Sequence, residues 1–293
     1  MNRSAIVVLV LCTLGQSAQA ETVNCTEIAS LPAVINVAGV YCLQQDLSTA
    51  IASGNAIEIQ ANNVVLDCNG RKLGGLAAGP DSRAVGVSAA GRTNLTVRNC
   101  KLRGFGTAIR FAAPGGGHVV EDNHVQGSTE LGLSISGNGS MVRRNRVLDT
   151  LQRAGAPDDA VGIATESTMD ILDNTVGQVV AATGKAAFGI RARDNLHGAI
   201  IGNRVRNVLD QGQANSFTAG IASIPVAGNG RATIAGNHVA LSAPDNQAGI
   251  SCYNDGNDVA FDNVVNGFHY FLGPTHTPIL GCVNGGGNVA PAP

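Results

Sequence analysis

From Leu66 onward the chain repeats one short phrase: an aliphatic residue, two variable positions, an asparagine, one variable position and a second aliphatic residue. Clear copies are Val120–Val125, Val142–Val147, Ile171–Val176, Ile200–Val205 and Ile234–Val239, and Ala260–Val265 is a weaker one. Val97–Leu102 carries Cys100 in the asparagine place, and Leu66-Asp67-Cys68-Asn69 fits before a two-residue insertion that leads to Leu73. With Asn69, Cys100, Asn123, Asn145, Asn174, Asn203, Asn237 and Asn263 as anchors, the intervals are 31, 23, 22, 29, 29, 34 and 26 residues. Each anchor follows a second short β-type run, such as Leu131–Ile135, Ala160–Ile163, Phe188–Ile190, Ala219–Ile221 and Ala248–Ile250. Gly, Asn, Asp and Pro bound these runs, and no sustained 3.6-residue periodicity competes with them.

One loop of two or three short strands cannot bury its inner face alone. Stacked loops can, because each strand then pairs with its equivalents above and below, about 4.8 Å away, around one continuous core. The expected fold is all-β, a stack of about eight coils. An asparagine recurring at one corner fits this in two ways: it tolerates left-handed backbone angles, and its amide can hydrogen-bond from coil to coil. The alternative, ordinary turn asparagines in unrelated hairpins, explains eight spaced copies poorly. Composition agrees with thin layers: aromatic residues make up 3% and there is no Trp, so Val, Ile, Leu and Ala must fill the interior.

A net charge of −2 with scattered Lys and Arg argues against nucleic acid as a partner. Arg3, the apolar run Ala5–Leu14 and Ala18-Gln19-Ala20 read as a signal peptide over residues 1–20, so export to the periplasm or beyond is expected. Ten apolar residues are too few to span a bilayer, which takes about 20, so no membrane anchor is expected. Seven cysteines are present, and Cys12 falls in the leader, leaving six. An even number in an exported chain, with no CxxC spacing, reads as disulfides. Half-cystines one coil apart fall within bridging reach, which pairs Cys68 with Cys100 and Cys252 with Cys282 and leaves Cys25 with its neighbour Cys42. Free thiols at Cys68 and Cys100 are the alternative, since Cys68 lies one place off the repeat's register.

The aliphatic-x-x-Asn-x-aliphatic coils, and the entry Ile57-Glu58-Ile59 to Val64-Val65-Leu66-Asp67-Cys68-Asn69-Gly70, resemble the right-handed parallel β-helix repeat proteins of the pectate-lyase-like superfamily. Coils of 22 to 34 residues suit that helix better than a left-handed one with a strict hexapeptide rhythm. The resemblance covers about residues 56–270, with 21–55 as an N-terminal cap and 271–293 as a closing segment or tail. It implies a ligand along one strand face, hence an extended polysaccharide as partner for a chain expected to be a monomer.

If Ile190 points inward, Arg191 and Arg193 point outward, and the same register places Arg110, Glu166, Ser251 and Tyr253 outward on other coils. Arginines suit the carboxylates of acidic sugars, although Glu166 and Arg193 could simply form a surface pair. Asp158-Asp159 enters a strand as the paired aspartates of polygalacturonases do, where a glycosidase needs an acid and a base. That family's Asn-Thr-Asp, Gly-His-Gly and Arg-Ile-Lys elements have no counterparts here, so a plain turn after Pro157 competes. The catalytic candidates are therefore Asp158, Asp159, Arg191 and Arg193, and the binding candidates are Arg110, Glu166, Asp194, His197 and Tyr253. Recognition of an acidic polysaccharide is the leading expectation, with a polysaccharide lyase or glycoside hydrolase as the alternative. No cofactor or metal site is expected. The run Asn254-Asp255-Gly256-Asn257-Asp258 looks like a Ca²⁺-binding turn, but a single copy reads more readily as a tight turn.

Overall fold

A computed structural model describes residues 22–210, 217–225, 231–241, 247–253, 257–267 and 279–290. The expected leader lies outside the described residues, as do residues 254–256 of the Ca²⁺-like turn and residues 271–278 and 291–293 of the closing segment. Three parallel sheets of eleven, ten and nine strands form a right-handed parallel β-helix. One coil shows the plan. Val85–Ala90 lies in the ten-stranded sheet, Leu95–Arg98 in the eleven-stranded sheet and Lys101–Arg103 in the nine-stranded sheet. Thr107–Ala112 then returns beside Val85–Ala90, pairing Ile109 with Val87.

The repeat's apolar positions become columns. On the eleven-stranded sheet Val97, Val120, Val142, Ile171, Ile200, Ile234 and Ala260 lie in register, all fully buried. Leu102, Val125, Val147, Val176, Val205, Val239 and Val265 form the matching column of the nine-stranded sheet. Medium-sized aliphatics suffice because each coil contributes only one thin layer. The stack is taller than eight coils. Thr26–Glu27, Ala33–Ile35, Gly39–Cys42 and Leu47–Ser48, within the segment expected to cap the helix, already pair in the three sheets. Cys25–Cys42, Cys68–Cys100 and Cys252–Cys282 are all bonded, with Cα atoms 5.8, 4.7 and 5.0 Å apart.

The asparagine column is a continuous hydrogen-bond chain. The backbone N–H and the Nδ2 of Asn123 both donate to Oδ1 of Asn145, at 3.1 and 3.0 Å. Asn145 donates in the same way to Asn174, Asn174 to Asn203, Asn203 to Asn237 and Asn237 to Asn263. The chain begins at the Cys100 N–H and ends at Asn288, an anchor that the repeat had not disclosed. Each inner Nδ2 also donates to a strand carbonyl, such as Asn174 to Val142 at 2.9 Å. Asn69 stands outside this chain and donates to Thr22 and Leu43 carbonyls instead, because the insertion shifts it to the preceding position.

The left-handed backbone is displaced from where the repeat suggested. It falls on the residue before each ladder position, Cys100 included: Asn99, Asp122, Arg144, Asp173 and Asp262 have φ of 52–55°. Gly202 and Gly236 fill the same place at 69° and 61°. That residue turns the corner, which leaves the asparagine side chain free to point along the helix axis.

The Gly-Ile pairs have a steric cause. Val161 and Ala164 pack outside the ten-stranded sheet, whereas Ile163 lies in the main core, so two successive positions, Gly162 and Ile163, face inward. A Cβ on Gly189 would lie 2.3 Å from Val205 Cγ1 and 2.6 Å from the Gly220 carbonyl oxygen. Gly189→Ala is expected to lower stability by about 1–3 kcal/mol, read as a shift in the urea midpoint.

His118 supplies a pH dependence. It is 2% exposed, lies against Phe111, and accepts from the Leu95 N–H through Nδ1 at 3.4 Å. Burial pushes its imidazole down to about 4, from an ordinary 6.5. Between these values the unfolded chain binds a proton that the folded chain refuses, so stability rises with pH across that window. His118→Gln is expected to flatten the rise in urea midpoint between pH 4.5 and pH 7; an unchanged slope would assign it to other groups.

Candidate functional site

The outer face of the ten-stranded sheet carries a row in register across four coils: Arg110, Ser134, Ala164 and Arg191. The two arginines stand three coils apart, about 14 Å. The small side chains between them leave a cleft of about 230 Å³. A second row, Ser136, Glu166 and Arg193, borders it. The loop before Ala160–Glu166 makes a wall with Gln152, Pro157, Asp158 and Asp159. Thus all four catalytic candidates and two binding candidates, Arg110 and Glu166, line one cleft.

The Asp158-Asp159 turn is braced from the next coil. Gln152 Nε2 donates to the Asp158 carbonyl at 2.6 Å, its Oε1 accepts from the Ala182 N–H at 2.9 Å, and Lys185 Nζ donates to the Pro157 carbonyl at 2.6 Å. The two carboxylates then diverge. Asp159 accepts from the Ala186 N–H at 3.2 Å and from Arg191 Nη1 at 3.1 Å. Asp158 is exposed, and its carboxylate has no hydrogen-bond or ion-pair partner among the described residues. Glu130, another cleft carboxylate, is held by Arg153 Nε at 3.0 Å.

The arginines diverge as well. Arg191 is 8% exposed and lies over the Phe188 ring, 5.5 Å from its centroid. Burial and then the Arg193 charge pull its guanidinium below the ordinary arginine value, while Asp159, Asp158 and Glu166 act in the other direction. Arg193 Nε is buried without a partner among the described residues, and no ion pair joins Arg193 to Glu166.

Three expected binding residues lie outside the cleft lining. Asp194 turns the corner after Ala187–Arg193, with φ of 52°. His197 is exposed on the following loop. Tyr253, half exposed, sits farther along the helix with its ring 6.4 Å from Phe217, which in turn stands 6.3 Å from Phe188. Phe188 and Phe217 of this series pack with Val161, Ala164, Ala219, Ala222 and Ala248, and the series was not foreseen beyond Tyr253. A column of alanines next to the Gly-Ile pairs was the available signal, since small outward residues leave room for rings. Among the described residues no three His, Cys, Asp or Glu side chains gather as a metal-ligand set, and no helix is long and apolar enough to cross a membrane.

The family described as "Right handed beta helix region" matches residues 81–282. The chain belongs to the right-handed β-helix family. The solved structures that match it share little sequence with it. A Dettilon tailspike protein is 12% identical over 81% of this chain and 58% of its own, with a TM-score of 0.35. The catalytic domain of a GH87 α-1,3-glucanase in complex with nigerose is 13% identical over 90% and 59%, at 0.42. A tailspike double mutant of E. coli bacteriophage HK620 is 14% identical over 86% and 54%, at 0.39. This β-helix therefore spans less than two thirds of each of those chains. No curated protein sequence matches it.

The Asp159–Arg191 bond makes the two aspartates experimentally separable. Asp159→Asn leaves a buried guanidinium without its carboxylate and is expected to cost about 1–3 kcal/mol, discounted because Asp159 is one-third exposed. Asp158→Asn is expected to leave the urea midpoint where it is. Equal shifts for both variants would show that the wall responds to its charge rather than to this bond.

Proposed function

We propose that this exported β-helix recognises an extended acidic polysaccharide laid along the outer face of its ten-stranded sheet. The observation that carries the proposal is the pair of arginines, Arg110 and Arg193, that line the cleft without any acidic partner among the described residues. A guanidinium offers a planar fork of donors suited to a carboxylate, and those of Arg110 and Arg193 both line the cleft. Beyond the buried Phe188, the Phe217 and Tyr253 rings continue along the helix and offer apolar surface to sugar rings. The cleft is open and runs across coils, which favours a polymer over a small metabolite. Three disulfides agree with an oxidising compartment, and residues 1–20 supply the export signal.

Asp158 favours a second reading, cleavage of the bound polymer. Its partnerless carboxylate stands at the cleft and is free to carry a proton to or from a glycosidic bond, whereas Asp159 is engaged by Arg191.

Short oligogalacturonides test both. Arg193→Gln is expected to weaken their binding about tenfold, or about 1.4 kcal/mol, by calorimetry. New reducing ends that disappear in Asp158→Asn would establish hydrolysis, and unsaturated products a lyase. Binding unaffected by Arg193→Gln would remove the cleft as the site.

A further inference from the structure

The nine-stranded sheet carries a different pattern on its outer face. Its first outward position reads, in register from coil to coil, Lys72, Lys101, His124, Arg146, Thr175, Arg204 and His238. Two residues farther along each strand, Arg103 and Arg206 add a second row. All six Lys and Arg side chains are exposed, and none makes an ion pair with a described residue.

The adjacent eleven-stranded sheet behaves otherwise. There Arg98 is bound to Asp67 at 2.8 Å, Arg143 to Glu121 at 2.7 Å, and Arg144 to both Glu121 and Asp122 at 2.8 Å. The fold therefore answers cations on one sheet and leaves them unanswered on the next. The carboxylates near the nine-stranded face are few: Asp46 accepts from the Lys72 backbone N–H, and Asp149 is taken by Gln126 Nε2 at 2.8 Å.

Like charges at directly opposed positions cost stability, and here Lys72 opposes Lys101 while Lys101 and Arg146 flank His124. Burial first, then the Arg146 and Lys101 charges, hold the His124 imidazole below its ordinary value, with Asp149 acting against them. His124 Nε2 is buried without a partner among the described residues. The His124 side chain lines a groove of about 270 Å³ together with Lys72, Lys101, Arg103, Gln126 and one carboxylate, Asp46.

We propose that this cationic ladder is a second binding surface, which holds a linear anionic polysaccharide, charged on each sugar, parallel to the helix axis. Successive coils place a cation or hydrogen-bond donor about every 4.8 Å along a straight line of about 29 Å from Lys72 to His238. A pyranose ring in an extended chain advances by a similar length, so the carboxylates or sulfates turned toward the sheet fall in step with its rungs. No Phe, Tyr or Trp stands in the row for bases to stack on, which separates it from single-stranded nucleic-acid platforms. The ladder shares no residue with the cleft between Arg110 and Arg193, so the two surfaces stand or fall separately.

The test compares Arg193→Gln with a variant that adds Lys101→Gln, Arg146→Gln and Arg204→Gln, so that cleft occupancy is weakened equally in both. Polygalacturonate fractions of increasing length, single-stranded oligothymidylate and phosphatidylglycerol vesicles are the probes. The parent is expected to bind polygalacturonate more tightly as length approaches the ladder span, with a steep salt dependence. The added substitutions are expected to weaken the long fractions at least about tenfold and to flatten that dependence. Equal affinity in the two proteins, or no length-dependent binding by the parent, would overturn the proposal. So would oligothymidylate or vesicles binding as tightly with the same sensitivity to the three substitutions. Failure of the cleft reading appears elsewhere, as Arg193→Gln alone leaving short oligomers unaffected.

Discussion

A parallel stack holds together only while each coil keeps its register with the next, and the asparagine chain from Asn123 to Asn288 is the interaction that enforces this. Every inner member is almost fully buried, and its Oδ1 accepts two hydrogen bonds from the previous rung while its backbone N–H and Nδ2 donate to the next. A coil displaced by one residue would lose these bonds inside the protein, where an unpaired amide costs about 1–3 kcal/mol. It would also turn every side chain to the opposite face. Loops between strands can therefore vary in length without disturbing the columns, because register is set again at each asparagine.

Fixed register turns the outer faces into ruled surfaces. A side chain at one position on one coil has neighbours at the same position above and below, so a charge, ring or small residue acts as one of a series. Small residues at Ser134 and Ala164 make the gap between Arg110 and Arg191, and alanines at 219, 222 and 248 make room for Phe217. On the nine-stranded sheet the same geometry aligns Lys72, Lys101, Arg146 and Arg204. Both surfaces are consequences of translation along one axis, and both suit ligands that repeat along one axis.

Within the cleft, burial sorts chemically similar groups into different parts. Arg191 is enclosed, stacked on Phe188 and bound to Asp159, which makes it part of the wall. Arg193, Arg110 and Asp158 line the same cleft with no ion-pair partner among the described residues. The adjacent aspartates Asp158 and Asp159 thus have unlike duties despite their identical chemistry.

Much of this was legible along the chain, because a stack of coils writes its contacts at nearly regular intervals. The repeat alone determined the all-β coil fold, the inward aliphatic columns, the asparagine ladder and the Cys68–Cys100 and Cys252–Cys282 pairs, since all depend on equivalence between coils, and Cys25–Cys42 followed as the pair that remained. The outward register from Ile190 likewise brought Arg110, Glu166, Arg191 and Arg193 toward one face, and the paired aspartates Asp158 and Asp159 drew notice separately, as a strand entry. What only the tertiary structure decided depends on how far a side chain reaches or which backbone bends. Asn288 joins the ladder through an irregular final coil, the left-handed corner falls on the preceding residue, and Phe217 crosses the alanines. Asp194 and His197 turn away from the cleft because the chain leaves the sheet at that corner. The engagement of Asp159 by Arg191, and the lack of any such partner for Asp158 among the described residues, is likewise a matter of distances of a few ångströms across coils, which spacing along the chain does not encode.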